Sequence, residues 1–283
     1  MLIEDKVFIN KVKSAGKDIN EYIEEKRKKF STAVYDHIDL NKDGIKNLKS
    51  IYNKYTKMYY TSTKKLFEIY NSIQEFRNPD DMIYDICDEK VFKPSKLERF
   101  EEKQIYNRTL IIGWVGNSVH SGQGDVDLKG FNTIIKPVVD ELKIEGYNIE
   151  GHYADRKVKW RLEDEMVKYY SEIDVCICAS IHEGTPRPVL EAMCCGVPII
   201  STDVGIVSEA FGTKQREFII GDREDGKNDI DVRKLLKEKI TELYNNRKMF
   251  KELSEENLTS IIEFDGGKTI KKFEEFFNKC LEQ

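Results

Sequence analysis

Two glutamates, Glu183 and Glu191, flank the start of a predicted helix in the second half of the sequence. Between them, Gly184 permits a tight turn, Thr185 is expected to be the N-cap, and Pro186 suits the approach to the first helical turn. A helix start presents free N–H groups and about half a positive charge, which suits a phosphate or diphosphate. A carboxylate this close to a phosphate must face another group, and the vicinal hydroxyls of a sugar are its natural hydrogen-bond donors. The segment therefore predicts a site for a ligand that carries both phosphate and sugar.

Arg187 stands between two prolines in this segment, and these restrict the backbone around it. We predict that its side chain points at the phosphates. The alternative is a solvent-exposed arginine at a helix start, where a positive charge is mildly unfavourable against the dipole. The carboxylates also have plainer interpretations, with Glu191 as a surface charge that complements the dipole and Glu183 as a solvated loop acid.

Two further loops are predicted at the same edge of the sheet, where ligands of open α/β sheets bind. One follows an apolar strand with Gly116, Asn117 and Ser118, which offer close backbone approach and short polar side chains, and continues to Lys129. An ordinary flexible loop is the alternative. The other contains Gly205, which is expected to admit a ligand against the backbone. These two loops add candidate ligand-binding residues to those of the loop before the helix.

The elements that must position these loops follow from the period of the apolar residues, which switches repeatedly between two and three to four. This alternation predicts an α/β fold of two doubly wound, Rossmann-like domains with parallel strands. We predict a first domain over residues 1–105, a linker within 91–107, a second domain over 106–265, and a C-terminal helix over 266–283 that packs back on the first domain. Strands and helices of the first domain are expected at Lys6–Ile9, Asp18–Lys29, Ala33–Ile38, Ile45–Tyr55, Met58–Thr61, Thr63–Ile73 and Met82–Cys87. Those of the second domain are expected at Thr109–Val115, Phe131–Leu142, Asn148–Gly151, Glu163–Tyr170, Asp174–Ala179, Pro188–Cys195, Val197–Ser201 and Glu217–Ile220.

Composition excludes several classes of protein. The chain has 283 residues, of which 40% are hydrophobic and 34% charged, so a disordered tail is excluded. The net charge of −5 argues against a dedicated nucleic-acid binder. No apolar run approaches the ~20 residues of a membrane span, and residues 1–30 contain no apolar signal segment. We expect a cytoplasmic protein, with the basic run Lys26–Lys29 as a solvated helix end or, alternatively, a contact with the inner face of the membrane.

No metal site is predicted. The six cysteines form no C-x-x-C pair and the four histidines lie far from zinc-ligand spacing, so buried reduced thiols are expected. Asp125 and Asp127 are the alternative, as ligands of a divalent ion beside Lys129.

The run Glu183–Ile200 resembles the signature of retaining glycosyltransferases with the GT-B fold, the family 4 type. Glu183 and Glu191 match that family's Glu-x7-Glu pair, and Gly113–Ser118 with Lys129 looks like its glycine loop and phosphate-binding lysine. Met82–Pro94 looks like the crossing into its nucleotide domain.

The resemblance implies a nucleotide-sugar donor, such as a UDP- or GDP-sugar, bound by the second half, and a glycan, lipid-linked or protein acceptor bound by the first. In such enzymes the first glutamate, here Glu183, contacts the donor sugar, and the second, here Glu191, holds the ribose hydroxyls. Lys129 would neutralise the departing diphosphate, aided by N–H groups at Gly184–Arg187, with retention of configuration. It implies no metal and no cofactor, and a role in cell-surface polysaccharide biosynthesis.

The sequence departs from the family in two ways. The arginine that the family pairs with its lysine is missing after the glycine loop, so Arg187 is the candidate substitute. The first domain is shorter than in the family, and His37 is a candidate for the histidine that the family places there. These departures leave two alternatives open: a catalytically silent subunit that supports a partner enzyme, and a sugar-nucleotide epimerase or hydrolase.

Overall fold

The computed structural model of the chain describes residues 10, 12–22, 31–34, 56–74, 77–119, 126–223, 227–264 and 266–282. The chain divides into two compact units, one formed by residues 1–84 and 270–283 and the other by residues 85–269. Several predictions lie outside the described residues: the strand Lys6–Ile9, the helix Ile45–Tyr55, the basic run Lys26–Lys29, and the residues His37 and Asp125.

The first unit contains a parallel sheet of three short strands in the order β1 (Ser31–Val34), β2 (Met58–Thr61) and β3 (Asp81–Met82). Helix α1 (Lys64–Ser72) follows β2, and its N-cap Thr63 accepts a hydrogen bond from the N–H of Leu66 at 3.1 Å. The C-terminal helix, Gly266–Glu282, contributes Phe276 and Cys280 to a buried cluster with residues of this sheet. Burial of this apolar face explains why residues 270–283 belong to the unit.

The second unit contains a four-stranded parallel sheet in the order β5-β4-β6-β7. Its strands are β4 (Leu110–Gly116), β5 (Ile149–Asp155), β6 (Val175–Cys178) and β7 (Ile199–Ser201). Its longer helices are α2 (Lys136–Ile144), α3 (Glu163–Tyr170), α4 (Arg187–Cys194), α5 (Asp229–Asn245) and α6 (Met249–Ser260). A π-helical segment, Phe131–Ile135, leads into α2. Near-continuous apolar strands form the core between the helices, as expected of a parallel sheet buried on both faces.

The segment predicted to be a linker is part of the second unit. Residues 91–107 contain the 3₁₀ turn Leu97–Phe100 and the helical turn Glu102–Ile105, and Phe100 and Ile105 are buried. Arg99 explains the attachment, because it donates to the carbonyl oxygens of Tyr170 at 3.2 Å and Ile173 at 3.1 Å, and its Nε lies 3.8 Å from the buried carboxylate of Asp174. The division at 84/85 therefore precedes the predicted boundary at residue 105, and the second division falls at 269/270 rather than after 265.

Two predicted strands are shorter or absent. The strand expected over Met82–Cys87 pairs only at Asp81–Met82. The strand expected over Glu217–Ile220 is a 3₁₀ turn, Gln215–Phe218, followed by a single bridge from Ser201 to Ile219. Phe218 and Ile220 of this segment are buried, but too few backbone groups reach β7 to form a ladder.

Candidate functional site

The loops that follow β4, β6 and β7 meet at the carboxyl edge of the second sheet. A cavity of about 550 Å³ there is lined by, among others, Gly116, Asn117, Lys129, Arg187 and Glu191. An adjoining cavity of about 110 Å³ is lined by Lys129, Glu183 and Arg187. The structure therefore brings together Lys129, Glu183 and Arg187, the three residues predicted to act on the donor sugar and the leaving diphosphate. The larger volume falls within the range of small-molecule sites.

Lys129 and Glu183 form an ion pair at the centre of this edge, through the Lys129 ammonium and Glu183 Oε1. The side chains are 27% and 18% exposed, so the pair remains accessible from the cavity. The hydroxyl of Ser180 donates to the same Glu183 oxygen at 2.8 Å. A cation and a hydrogen-bond acceptor held side by side can bind a phosphate and a sugar hydroxyl at the same time.

The loop that carries Lys129 is fixed by its own backbone. Gly130 adopts a φ of +66°, and a Cβ at this position would lie 2.5 Å from the carbonyl oxygen of Ala179, at the end of β6. Asp127 Oδ2 accepts hydrogen bonds from the N–H groups of Asn132 at 2.7 Å and Thr133 at 3.0 Å, which caps the π-helical segment. Asp127 is thus engaged as a cap.

A buried arginine that sequence reasoning missed braces the same loop. Arg223 donates to the carbonyl oxygens of Asp127 at 2.5 Å and Ala179 at 3.3 Å and to the hydroxyl of Thr133 at 3.0 Å. Its charge is balanced by Asp229, whose carboxylate accepts hydrogen bonds from Arg223 Nε at 2.7 Å and Nη2 at 2.9 Å. Burial opposes ionisation of Asp229, but the bonds from Arg223 outweigh it and keep the pKa of this carboxyl below its ordinary value. Arg223 has no motif around it in the sequence that could have indicated this role.

Helix α4 begins one residue earlier than predicted and has a different cap. Its N-cap is Pro186, and no side chain caps it, so the prediction that Thr185 is the N-cap was wrong. Pro186 and Pro188 have no N–H, and the N–H of Val189 already donates to the carbonyl of Pro186 at 2.8 Å. Gly184, Thr185 and Arg187 are therefore the residues of this helix start whose amides can face an anion.

The other end of α4 is as predicted. Gly196 has a φ of +70° and its N–H donates to Met193 O at 2.9 Å, while the N–H of Val197 donates to Ala192 O at 2.8 Å. This pair of bonds is the Schellman motif, which terminates the helix at a glycine. The helix length thereby places the site residue Glu191 one turn inside α4.

Glu191 is buried, with a side chain only 13% exposed. The Tyr170 hydroxyl donates to Glu191 Oε2 at 2.8 Å. Burial raises the pKa of Glu191 above its ordinary value, and the hydrogen bond from Tyr170 and the charge of Arg187 partly offset this. Its surroundings exclude the interpretation of Glu191 as an exposed surface charge. Tyr170 lies in a separate helix, and its role has no local sequence signal.

Arg187 is 65% exposed, and its Nε lies 3.9 Å from Glu191 Oε1. It also lies close enough to Asp85 to affect that carboxyl: burial raises the pKa of Asp85, and Thr185 and Arg187 pull it down in part. Arg187 lines both cavities together with Lys129, and its exposure also agrees with the alternative of a solvent-exposed arginine at a helix start.

The glycine loop is attached to the neighbouring strand. Asp155 accepts hydrogen bonds from the Ser118 N–H at 3.1 Å and hydroxyl at 2.5 Å, and the N–H of Arg156 donates to Gly116 O at 2.8 Å. Ser118, predicted to bind the donor, therefore holds the loop through its hydroxyl, while Asn117 lines the larger cavity. Gly116 also makes room for Trp114, whose ring would lie 2.4 Å from a Cβ at this position.

Gly205 lets the third loop approach the first. Its φ is +52°, and a Cβ here would lie 1.8 Å from the carbonyl oxygen of Gly184. The space beside Gly205 is thus occupied by the backbone that precedes α4. A ligand contact at Gly205 stays a prediction, and the observed contact supports the position of Gly184.

The part of the chain that the structure describes contains no group of three or more His, Cys, Asp or Glu side chains arranged to hold a metal ion. Within the same described ranges, no helix is both long and apolar enough to cross a membrane.

Comparison with known proteins identifies similarity to glycosyltransferases. Residues 143–257 match the family Glycosyl transferases group 1. A putative teichuronic acid biosynthesis glycosyltransferase, TuaC of Bacillus subtilis (strain 168), is 32% identical over 83 residues. That match covers 29% of this chain and only 19% of the length of TuaC.

Solved structures share the fold. A glycosyltransferase from Rickettsia africae ESF-5 aligns with a TM-score of 0.64 and 16% identity, over 99% of this chain and 83% of that one. Anabaena Alr3699/HepE in complex with UDP and glucose aligns with a TM-score of 0.63 and 12% identity, over 88% and 71% of the two chains. The α/β architecture with parallel sheets matches the GT-B glycosyltransferase structures.

Proposed function

We propose that the protein is a glycosyltransferase that moves a sugar from a nucleotide-sugar donor to a glycan, lipid-linked or protein acceptor with retention of anomeric configuration. The Lys129–Glu183 pair carries this proposal, because it joins a phosphate-binding cation to a sugar-binding acceptor beside the buried Glu191. The match of residues 143–257 to the group 1 family supports it.

Each residue then has a defined part in the reaction. The diphosphate lies against Lys129, Arg187 and the amides of Gly184 and Thr185, which stabilise the charge that develops as it departs. Glu191 accepts hydrogen bonds from the ribose hydroxyls, and Glu183 accepts one from the donor sugar.

The bond between the anomeric carbon and the diphosphate oxygen breaks while the acceptor oxygen bonds to the same face of the sugar. The acceptor proton passes to the leaving diphosphate. This step needs neither a bound metal nor a cofactor, since its charges are met by the lysine, the arginine and the main chain.

The comparisons also support the class of donor and acceptor. HepE is described in complex with UDP and glucose, and TuaC is named for teichuronic acid biosynthesis. We infer a UDP- or GDP-sugar as donor and a cell-surface polysaccharide or its lipid-linked precursor as acceptor. A lipid-linked acceptor would bring the cytoplasmic enzyme to the inner face of the membrane.

The test is a panel of nucleotide sugars, scored first by thermal stabilisation and then by release of the nucleoside diphosphate. A true donor at a hundredfold excess over its Kd should stabilise the protein by about 2.7 kcal/mol. Release of diphosphate that depends on an added acceptor supports a transferase. Conversion of the donor without acceptor would indicate an epimerase or hydrolase, and binding without any turnover would indicate a silent subunit.

Variants of the two cations assign the reaction to this site. Lys129→Ala and Arg187→Ala should each lower kcat by a factor on the order of a hundred, comparable to loss of one preorganised donor. Lys143→Ala is the matched control, because Lys143 is exposed in the last turn of α2, away from the cavity. Unchanged turnover in both site variants would contradict the proposal.

A further inference from the structure

The cavity of about 550 Å³ is also lined by a tryptophan to which no role has yet been given. Trp160 lines this cavity together with Lys129 and Glu191. Its side chain is 60% exposed, although tryptophan is highly buried on average. The guanidinium of Arg156 lies 4.1 Å from the ring centroid. A cation at this distance stabilises one orientation of the ring and covers one of its faces, while 60% of the side chain remains exposed.

The loop that presents Trp160 is anchored to the phosphate end of the cavity. The N–H of Arg156 donates to Gly116 O at 2.8 Å, and the N–H groups of Val158 and Lys159 both donate to Asp155 O at 3.0 Å. Burial opposes ionisation of Asp155, but hydrogen bonds from Ser118 and Lys157 outweigh it and lower the pKa of this carboxyl. The charged Asp155 therefore ties the Trp160 loop to the glycine loop in one arrangement.

The other groups of the cavity account for the polar parts of a nucleotide. Lys129 and Arg187 suit the diphosphate, and Glu191 suits the ribose. What remains of a nucleotide is a planar base, whose π-face stacks on an aromatic side chain. An adjoining groove of about 820 Å³ also contains Trp160, but neither Lys129 nor Glu191 is among its lining residues. The nucleotide is therefore assigned to the cavity that holds all these groups.

We propose that Trp160, held by Arg156, is the stacking surface for the base of the nucleotide donor. This proposal rests on the proposed function and adds to it a side chain that contacts the base. Stacking is tolerant of base identity, so Trp160 strengthens binding, and contacts at the edge of the base select among nucleotides.

The sequence makes a direct optical test possible, because it contains only two tryptophans. Trp114 is buried at 2% exposure and stacks on Phe131, so acrylamide reaches mainly Trp160. We would titrate the wild-type protein with UDP, GDP, ADP, CDP and inorganic pyrophosphate and measure the binding by calorimetry. Intrinsic fluorescence would be recorded with and without acrylamide in the same samples. The nucleotide that binds should quench Trp160 and protect it from acrylamide, whereas bound pyrophosphate should do neither.

Three variants separate stacking from general effects on the loop. Trp160→Ala should raise the Kd of the bound nucleotide about ten- to a hundredfold and leave the Kd of pyrophosphate unchanged. Trp160→Phe keeps a ring and should stay within about threefold of wild type. Leu162→Ala is the control, because Leu162 is 63% exposed on the same loop but does not line this cavity.

The outcomes distinguish the two proposals. If a nucleotide binds to Trp160→Ala as tightly as to wild type, or leaves Trp160 fully open to acrylamide, the stacking proposal is overturned and the transferase proposal stands. If no nucleotide in the panel and no nucleotide sugar binds to the wild type, both are overturned. Equal losses of nucleotide and pyrophosphate affinity in Trp160→Ala would also overturn the stacking proposal, because such losses indicate that the substitution displaces the loop.

Discussion

At the scale of single residues, the two glutamates of the site differ in environment although they share one helix start. Glu183 is paired with Lys129 and receives a hydrogen bond from Ser180, while Glu191 is buried against Tyr170. The first lies at the smaller cavity and the second at the larger one. Different roles in binding and turnover follow from these positions.

We predict that Glu191→Ala weakens binding of the donor nucleotide, whereas Glu183→Ala mainly slows turnover. Loss of a charged hydrogen-bond partner should cost about 1.5–3 kcal/mol of binding free energy, or roughly ten- to a hundredfold in Kd. Calorimetry with the nucleoside diphosphate measures the first effect and kcat the second. An unchanged affinity in the Glu191 variant would show that the ribose lies elsewhere.

The hydrogen bond from Tyr170 predicts a pH dependence. The charged form of Glu191 is the form that accepts hydrogen bonds from ribose, so nucleotide affinity should fall as pH drops through its pKa, which burial raises above 4.5. Tyr170→Phe removes a donor that favours the charged form, and the pKa must then rise further.

Nucleotide affinity of the Tyr170 variant should therefore begin to fall at a higher pH than that of wild type. Calorimetric Kd values across a pH series measure the shift. Two superimposable profiles would indicate that Glu191 does not determine the affinity.

At the scale of helices, strands and loops, two features hold the loops of the site in place. One is the close backbone approach at Gly205, and the other is the buried ion pair of Arg223 with Asp229. Gly205 contacts the backbone before α4, and Arg223 joins the loop of Lys129 to the end of β6. Neither contact can form until strands that are distant in sequence have paired.

Gly205→Ala should destabilise the protein more than Gly146→Ala. Both glycines have positive φ, which costs an alanine about 1–2 kcal/mol. A Cβ at Gly146 meets nothing within 4 Å, whereas one at Gly205 would lie 1.8 Å from Gly184 O. The free energy of unfolding in urea measures the difference, and Gly205→Ala should also weaken diphosphate binding. Equal losses in the two variants would mean that the third loop adjusts without moving Gly184.

Arg223→Met should lower both stability and affinity for diphosphate. Removing one partner of a buried ion pair costs about 3–5 kcal/mol, since Asp229 is left uncompensated. The double variant Arg223→Met/Asp229→Asn should recover part of that stability but none of the affinity, because the bonds to Asp127 and Ala179 stay lost. Recovery of both quantities together would show that Arg223 acts on stability alone.

At the scale of the whole molecule, the proposed function assigns the charge of the leaving diphosphate to side chains and main-chain groups. Asp127 is engaged as a helix cap, and no metal-binding group is found among the described residues. The fold places Lys129, Arg187 and the start of α4 at one edge of one sheet.

Transfer of sugar should therefore persist in EDTA at an undiminished rate. The measurement is product formation with and without chelator, after dialysis to remove divalent ions. Complete loss of transfer in EDTA, with recovery on addition of manganese, would contradict this expectation and point to Asp125 and Asp127 as ligands.

Local patterns determined much of the fold and the membership of the site. Strand Met58–Thr61 and helix Glu163–Tyr170 have the predicted bounds, and Gly196 terminates α4 as expected. These features depend on periodicity and on the conformational preferences of single residues, which a short stretch of sequence contains. The same holds for the two loops that carry Lys129 and Glu183 and for the helix that carries Glu191.

Only the tertiary structure decided which side chains these residues contact. The pairing of Lys129 with Glu183, the hydrogen bond from Tyr170 to Glu191 and the brace at Arg223 join residues that are distant in sequence. The same reason explains the packing of the predicted linker, which Arg99 attaches to the carbonyl oxygens of Tyr170 and Ile173. Buried polar groups must find partners wherever the chain brings them, and this choice depends on the packing of the whole unit rather than on any local pattern.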